Sequence, residues 1–408
     1  MPHFTPPQFL GLLAVILAVA KLCGAAAQWI GQPAVLGELL AGVLLGMSVV
    51  GLVNPDNEVL HLLAELGVVI LLFEIGLETD LQKLLKVGGA SAAVAVVGVL
   101  LPFALGYGVC RMLGLDNLVA VVAGASLTAT SVGITARVLS DLNRLQEPES
   151  QIILGAAVID DVIGLVILAV VTGLTHGEAV TVLGVLKTTG IAFGFLAGTL
   201  LVGRLIVPPL VRMVSRVELP GTATMLAVIL AFGLAWLASV AGSAMIIGAF
   251  AAGLLIRDTP KAHEIERGVA QLGHFFVPLF FVSVGAAVDV RVLNPIDPAN
   301  RATLEIGGLL IVAAVFSKFV AGYAPFWFRG NKKVIGVGMI PRGEVGLIFA
   351  QTGLTAGVFD AGLFSAITLM VMVTTFIAPP LLKLLFPPIH AEKSPPQPEG
   401  IEDLATEA

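Results

Sequence analysis

Charge is what this sequence has least of. Only 12% of its 408 residues are Asp, Glu, Lys or Arg, about half the share of a soluble domain. Hydrophobic residues make up 57% and the mean hydropathy is +1.00. That balance excludes a water-soluble globular chain and leaves an integral membrane protein with many spans. Cysteine is nearly missing: Cys23 and Cys110 both lie in apolar stretches, which argues for reduced packing residues and against a disulfide framework. The six histidines fall mostly at loops or ends, so neither a metal cluster nor a histidine proton relay is suggested. No basic segment precedes the first apolar run and no clear small-residue cleavage site precedes Gly31, so a retained span is expected and not a removable signal peptide. The net charge of −6 says little, because the stretch 387–408 is rich in proline and acid (Pro387, Pro388, Glu399, Glu402, Asp403) and is expected to be a disordered tail. No nucleic-acid partner is read from it.

What the sequence does have is apolar runs near the ~20 residues needed to cross a hydrocarbon core. About thirteen occur between Gln8 and Phe386, which predicts an all-α polytopic membrane protein. Lys and Arg collect in the connections after the third, fifth, seventh, ninth and eleventh spans, for example Lys83, Arg137, Arg144, Arg212, Arg257 and Arg329. The positive-inside rule then places the N-terminus outside and the C-terminus in the cytoplasm.

Within the sixth run, Asp160 and Asp161 stand together between Ile152 and Val171 in an otherwise apolar stretch. A carboxylate at that depth costs several kcal/mol unless it faces a cavity, a proton or a cation, so the pair marks a functional site. Neighbours on a helix diverge by ~100°, and only one of the two can point squarely into a given cavity.

The chain also repeats itself. Gly76 and Asp80 close the third span, and Gly285 and Asp289 close the tenth at the same offset of 209. The same offset carries the segment Thr128-Ala-Thr-Ser-Val-Gly-Ile-Thr135 onto Val337-Gly-Met-Ile-Pro-Arg-Gly-Glu344. The halves lie an odd number of spans apart, so they are inverted repeats. Corresponding interruptions in such repeats point to a transporter's midplane binding site. Pro341 cannot donate to the carbonyl of Val337 and Gly343 loosens the next turn. In the other half Thr128, Thr130, Ser131 and Gly133 have low helical propensity, and their hydroxyls can bond backbone groups that a break leaves unpaired. Freed carbonyls and helix ends supply oxygen ligands and partial charge, and together they make a cation site.

Lys318 falls about mid-span in the eleventh run, where an ammonium needs a carboxylate; Asp160 or Asp161 is the candidate. At ~4 Å and an effective dielectric near 20 such a pair gains about 4 kcal/mol, comparable to the cost of one charge at a helix centre. A pair so nearly balanced can be opened by a competing cation. Arg342 and Glu344 beside the Pro341 break fit compensation of helix-end dipoles, or of each other, better than substrate binding. Glu38, Glu65 and Glu74 lie one or two turns from the interface, where a carboxylate reaches water.

These residues resemble a known family. Asp160-Asp161, the Thr128–Ile134 segment, Gly31-Gln-Pro-Ala-Val-Leu-Gly-Glu38, the Leu-Phe-Glu-Ile-Gly-Leu-Glu stretch around Glu74, and Ile340-Pro-Arg-Gly-Glu344 look, as an ordered set, like the monovalent cation:proton antiporter-2 family of NapA-type sodium/proton antiporters. The resemblance runs from Phe9 to about Phe386 and implies the NhaA/NapA-like fold with two interrupted, crossing helices. It implies scaffold and dimerisation helices in 1–80 and 220–290, core ion-transport helices in 85–175 and 302–386, and a bridging helix in 183–215. It further implies a homodimer in a bacterial inner membrane with a part in pH homeostasis, a core that slides against the scaffold, and no resident cofactor. Sodium (or lithium or potassium) and protons would be the substrates. Asp161 would be the principal carboxylate for ion and proton, Asp160 the second ion-site carboxylate and partner of Lys318, and Thr130 and Ser131 would lie near the ion. Sodium withdrawing Asp160 from Lys318 would release a second proton and make the cycle electrogenic.

Other readings fit less well. A Kef-type potassium efflux protein usually has an amide in place of the first aspartate and a cytoplasmic nucleotide-binding domain, whereas no Rossmann pattern is present here. A channel needs no titrating pair opposite a lysine. An intramembrane aspartyl protease needs its aspartates on two helices, and nothing else suggests an enzyme. An organic-anion symporter on a related fold and a potassium/proton antiporter stay open.

Overall fold

Inside a bilayer no water is at hand for backbone amides and carbonyls, so a chain of this hydropathy has to satisfy them within helices. The computed structural model describes residues 5–54, 57–175, 182–214, 221–294 and 298–386; the tail expected at 387–408 lies outside them. Helices account for nearly all of it: α1 (Pro6–Trp29), α2 (Ala34–Leu45), α3 (Glu58–Glu78), α4 (Leu81–Lys86), α5 (Gly88–Met112), α6 (Asn117–Ser126), α7 (Val132–Asp141), α8 (Pro148–Thr175), α9 (Val182–Val214), α10 (Thr222–Val240), α11 (Met245–Arg257), α12 (Ala262–Ala286), α13 (Pro298–Ala321), α14 (Lys332–Gly338), α15 (Glu344–Thr355) and α16 (Ala361–Leu385). Nine of them are long and apolar enough to cross a membrane. The short α2 and α11, with the interrupted pairs α6–α7 and α14–α15, bring the crossings among the described residues to the thirteen read from the sequence.

The helices pack as two groups. In one, α3 lies against α11 and α12, α12 against α2, α2 against α1, and α10 against α11. In the other, α5 lies against α6, α8 and α13, and α16 against α13 and α15. Helix α9 touches α8 of one group and α10 and α11 of the other.

The sequence repeat has a packing counterpart. A Cβ on Gly285 of α12 would fall 2.1 Å from the Leu39 carbonyl oxygen of α2 and 2.9 Å from the Gly42 Cα. On Gly76 of α3 it would fall 2.4 Å from the Phe250 carbonyl oxygen of α11 and 3.0 Å from the Gly253 Cα. The third crossing of each half thus rests, glycine on glycine, against the second crossing of the other, the close approach that small residues permit between membrane helices. The paired aspartates share a role too: Asp80 accepts from the Gln82 and Lys83 amides at the start of α4, and Asp289 accepts from the Arg291 amide at the start of a short 3-10 turn (Val290–Leu293).

Three details depart from the sequence reading. Helix α4 adds a short amphipathic turn between spans. The interruptions fall at 127–131 and 339–343, an offset of 212 and not 209, because α14 keeps its helical bonds until the Pro341 constraint takes effect, with the Ile340 amide closing on the Val337 carbonyl at 3.1 Å. Lys318 lies in the last turn of α13, not in its middle. The chain turns at once after Ala321, where Gly322 approaches the Gly336 backbone so closely that a Cβ would meet its nitrogen at 2.3 Å.

Gly285→Ala places its new methyl against backbone that cannot yield. Its expected cost is about 1–3 kcal/mol, read as a lower thermal unfolding midpoint of the purified protein. Gly233→Ala on α10, where a Cβ meets nothing within 4 Å, is expected to leave the midpoint unchanged or raise it.

Candidate functional site

The two interrupted helices cross, and each satisfies the other's broken ends. The Ser131 amide donates to the Pro341 carbonyl at 2.8 Å, and the Thr135 hydroxyl donates to the Gly338 carbonyl at 2.7 Å. Arg342, fully buried, donates through one nitrogen to the carbonyls of Thr128 (3.2 Å) and Ala129 (2.9 Å), just past the end of α6. Its own carbonyl accepts from the Thr375 hydroxyl of α16. Five donors in a rigid fork suit one guanidinium to several orphan carbonyls. The cation thereby lies where the C-terminal end of α6 carries partial negative charge. Thr128 turns its hydroxyl back onto the Ala125 carbonyl at 2.8 Å. Glu344 begins α15; its side chain lies outside the described residues.

Beside this crossing, α8 presents its aspartates from mid-helix and α13 presents Lys318. The ammonium, fully buried, donates to the Thr130 hydroxyl at 2.7 Å and to Asp160 Oδ2 at 3.1 Å. The choice left open between the two carboxylates is resolved in geometry: Asp160 holds the lysine. Its other oxygen, Oδ1, is buried without a hydrogen-bond partner, as is the Ser131 hydroxyl. Asp161 is half-buried, engaged with its surroundings, and near enough to Lys318 for their charges to act on each other. The divergence of neighbouring helix positions accounts for this division, one aspartate inside the bundle and the other toward its boundary.

Two glycines of the site have roles that the sequence does not show. Gly98 of α5 makes room for the ammonium, since a Cβ there would stand 3.3 Å from Lys318 Nζ. Gly343 makes the same allowance for Ser131, whose hydroxyl would be 2.7 Å from an added Cβ.

This assembly offers a fixed cation, a lysine–aspartate pair and a second carboxylate, all at the crossing of interrupted inverted helices. A family model described as the transmembrane sodium/hydrogen exchanger matches residues 14–386. The chain belongs to the sodium/hydrogen exchanger family. As such it is an integral, multi-pass membrane protein. It is 42% identical to the high-affinity Na+/H+ antiporter NhaS3 of Synechocystis sp. over 96% of this chain and 92% of that one. It is 36% identical to the Na+/H+-K+ antiporter GerN of Bacillus cereus over 93% of this chain and 96% of that one. The solved sodium proton antiporter MjNhaP1 of Methanocaldococcus jannaschii superposes with a TM-score of 0.64 over 92% of this chain and 95% of that one, at 17% identity, and so shares the exchanger fold.

Replacing Arg342 by Met removes the charge but keeps much of the bulk, and leaves the Thr128 and Ala129 carbonyls buried and unpaired. At about 1–3 kcal/mol for each such group, the variant is expected to unfold well below the native protein in a thermal scan. Equal midpoints would mean that those carbonyls find other donors.

Proposed function

We propose that this exchanger family member exchanges a monovalent cation, sodium first among them, for protons across the membrane. The observation that carries the reading is the buried Lys318–Asp160 pair, with Thr130, beside the second carboxylate Asp161 at the crossing of the broken helices. Sodium is a hard ion that takes oxygen ligands, and Asp161 can hold it or a proton but not both. Competition for one carboxylate makes exchange obligatory. The partnerless Asp160 Oδ1 and Ser131 hydroxyl are further oxygens that a bound cation could use, which makes Asp160 and Asp161 the sodium-holding carboxylates. Thr128, Pro341, Arg342 and Glu344 serve as support for the break. The Na+/H+ activities in the relatives' names favour this assignment, and GerN's name keeps potassium as a second cation to be tried.

The two helix groups support an elevator-like motion. The group holding the site (α5–α8 and α13–α16) would slide as a core against the scaffold (α1–α3 and α10–α12), with α9 bridging them and the scaffold forming the contact of a homodimer. We place the N-terminus outside and the C-terminus in the cytoplasm of a bacterial inner membrane, on the charge distribution of the loops. If sodium draws Asp160 away from Lys318, the lysine can release a proton as well, and the cycle is electrogenic.

Purified protein in vesicles, loaded in turn with sodium, lithium or potassium, tests the reading through proton flux. Asp161→Asn is expected to abolish cation-driven proton movement at unchanged thermal stability, and robust sodium-dependent flux in that variant would sink the proposal. Asp160→Asn is expected to lose less; equal loss would mean that the two carboxylates act as one site. Lys318→Gln separates carrier from counter-ion. A stable, active and voltage-insensitive variant assigns the lysine a transported proton. A variant still driven by voltage, or destabilised by about 3–5 kcal/mol as expected for half of a buried pair, assigns it a structural role.

A further inference from the structure

The connection from α13 to α14, Gly322-Tyr-Ala-Pro-Phe-Trp-Phe-Arg-Gly-Asn-Lys-Lys333, holds one of the chain's two tyrosines, one of its three tryptophans and no acidic residue. It is also closely tied. The Tyr323 and Ala324 amides close turns on the Val320 and Ala321 carbonyls at 2.9 and 3.0 Å, and the Phe326 and Phe328 amides donate to the Ala324 and Pro325 carbonyls at 2.9 and 3.0 Å. Pro325 is buried, and Phe328 packs against the main apolar cluster. Glu149, at the start of α8, accepts from the Asn331 amide at 2.7 Å, and the Asn331 side chain reaches the Leu385 carbonyl of α16 at 3.4 Å. The Lys332 ammonium donates to the Phe326 carbonyl at 2.9 Å.

A loop so tied has its four aromatic rings in fixed places, and three of them point out. Tyr323 is 42% exposed, Phe326 80% and Trp327 54%, the last two packed edge to face at 4.9 Å between ring centres. Their surroundings follow from α13. Leu309, Val312 and Phe316 are exposed at helical spacing and make up the lipid-facing stripe of that helix. Tyr323, seven residues beyond Phe316, stands at the foot of the stripe and packs on Phe319 at 5.6 Å. The aromatic cluster thus continues a surface turned to lipid, and Arg329 and Lys333 are exposed beside it.

Depth sharpens the case. Asn331 precedes Pro341 at the break by ten residues, about 15 Å along a helix axis, and Gly322 follows Lys318 by four, about 6 Å. With the crossing at the midplane, the loop lies about 6–15 Å below it, inside one half of a hydrocarbon core about 30 Å thick. Aromatic rings are at home at that margin. Guanidinium and ammonium groups are not, unless they reach lipid phosphates. Arg329, Lys332 and Lys333 place three cations within five residues, and the one nearby carboxylate named above, Glu149, is engaged with the loop's backbone. We propose that the Tyr323–Lys333 loop is a binding site for anionic phospholipid headgroups, its three exposed rings seated among acyl chains and Arg329 and Lys333 on the phosphates. Lys332 holds the Phe326 backbone and so keeps that ring turned to the lipid. Because the loop begins one turn after Lys318, the lipid site and the ion site share a helix. Binding of this kind needs no ion gradient and is independent of exchange.

Trp327 reports on this site directly. With Trp29 and Trp236 replaced by Phe, its fluorescence is read in nanodiscs of equal parts phosphatidylglycerol and phosphatidylcholine, with the acyl chains of one lipid or the other brominated so that they quench an indole in contact. Each cation near the headgroups is worth about a five-fold preference for the anionic lipid, so the two quenching curves are expected to favour phosphatidylglycerol by about 5- to 25-fold in low salt, and by less in high salt. Arg329→Gln with Lys333→Gln should bring that ratio to about one and leave quenching itself in place. Trp236 of α10, 63% exposed, retained as the sole tryptophan, should show no preference. If the chain with both Phe replacements does not fold, the quenching lost on Trp327→Phe in the native chain gives the same comparison. Equal quenching by the two lipids at Trp327, an equal preference at Trp236, or a preference that survives the loss of both cations would overturn the lipid site. Quenching by neither lipid would place the loop against water or a protein partner, and overturns it too.

Discussion

Every helix that stops inside a bilayer leaves up to four amides or carbonyls with no water to turn to, and this chain stops two helices there. The rest of the core follows from how those groups are satisfied. Arg342 takes the carbonyls beyond α6, the Pro341 carbonyl takes the Ser131 amide, and the Gly338 carbonyl takes the Thr135 hydroxyl. Each break is completed by the other, so neither segment can be placed alone. The crossing in turn sets Thr130 beside Lys318 and the Ser131 hydroxyl at the open side of the break. A site with several oxygens facing one small region is the by-product of two helices that cannot close their own hydrogen bonds.

The two helix groups share one kind of packing and differ in their polar ties. Where α2 meets α12 and α3 meets α11, backbones approach until only glycine fits, and the contact is van der Waals packing over a wide area. Such a surface holds one arrangement. The other group has such contacts too, Gly106 of α5 against Gly124 of α6 and Gly322 against Gly336, and adds to them the polar, directional ties of the crossing. Between the groups the gap is lined mostly by apolar residues, with Thr368 and Thr375 among them. Backbone-to-backbone packing within a group and contact through apolar side chains between groups is a distribution compatible with the proposed sliding motion.

Much of this is legible in the sequence, for reasons that are local. Hydropathy gives the crossings because bilayer thickness fixes their length. Pro341, Gly343 and the run of hydroxyl residues at Thr128–Ser131 mark the breaks because helix disruption is a property of single residues. An ammonium and carboxylates in apolar runs imply a pair because neither could stay alone. What escapes the sequence is what depends on partners across space. The choice of Asp160 over Asp161 for Lys318 is set by the rotation of α8. Thr128 and Ala129, which take the Arg342 donors, lie over two hundred positions away in the chain, and the role of Gly98 exists only because Lys318 folds against it. Glu38 and Glu74 read as residues near enough to the interface to reach water, yet Glu38 is closed in by α1, α7 and its own helix. Position along a span carries no information about which neighbour covers it.

Charge bears on the proposed cycle. Arg342 stays bound to the carbonyls of the break, and counted over Asp160, Asp161 and Lys318, the charges that titrate or bind, the empty site is negative by one when all three are ionised. A single positive charge, sodium or proton, restores neutrality. An uncompensated charge moving past an apolar scaffold meets a desolvation cost of several kcal/mol, so in the proposed cycle a lysine that keeps its proton makes the empty core harder to move than the loaded one. Release of the Lys318 proton on sodium binding changes that count: the sodium-laden core then bears one negative charge. An inside-negative membrane potential favours its outward movement by about 2.3 kcal/mol per 100 mV. That is of the same order as the desolvation cost the charge incurs. Whether the lysine keeps or loses its proton therefore decides whether voltage, or only the ion gradients, drives the exporting step.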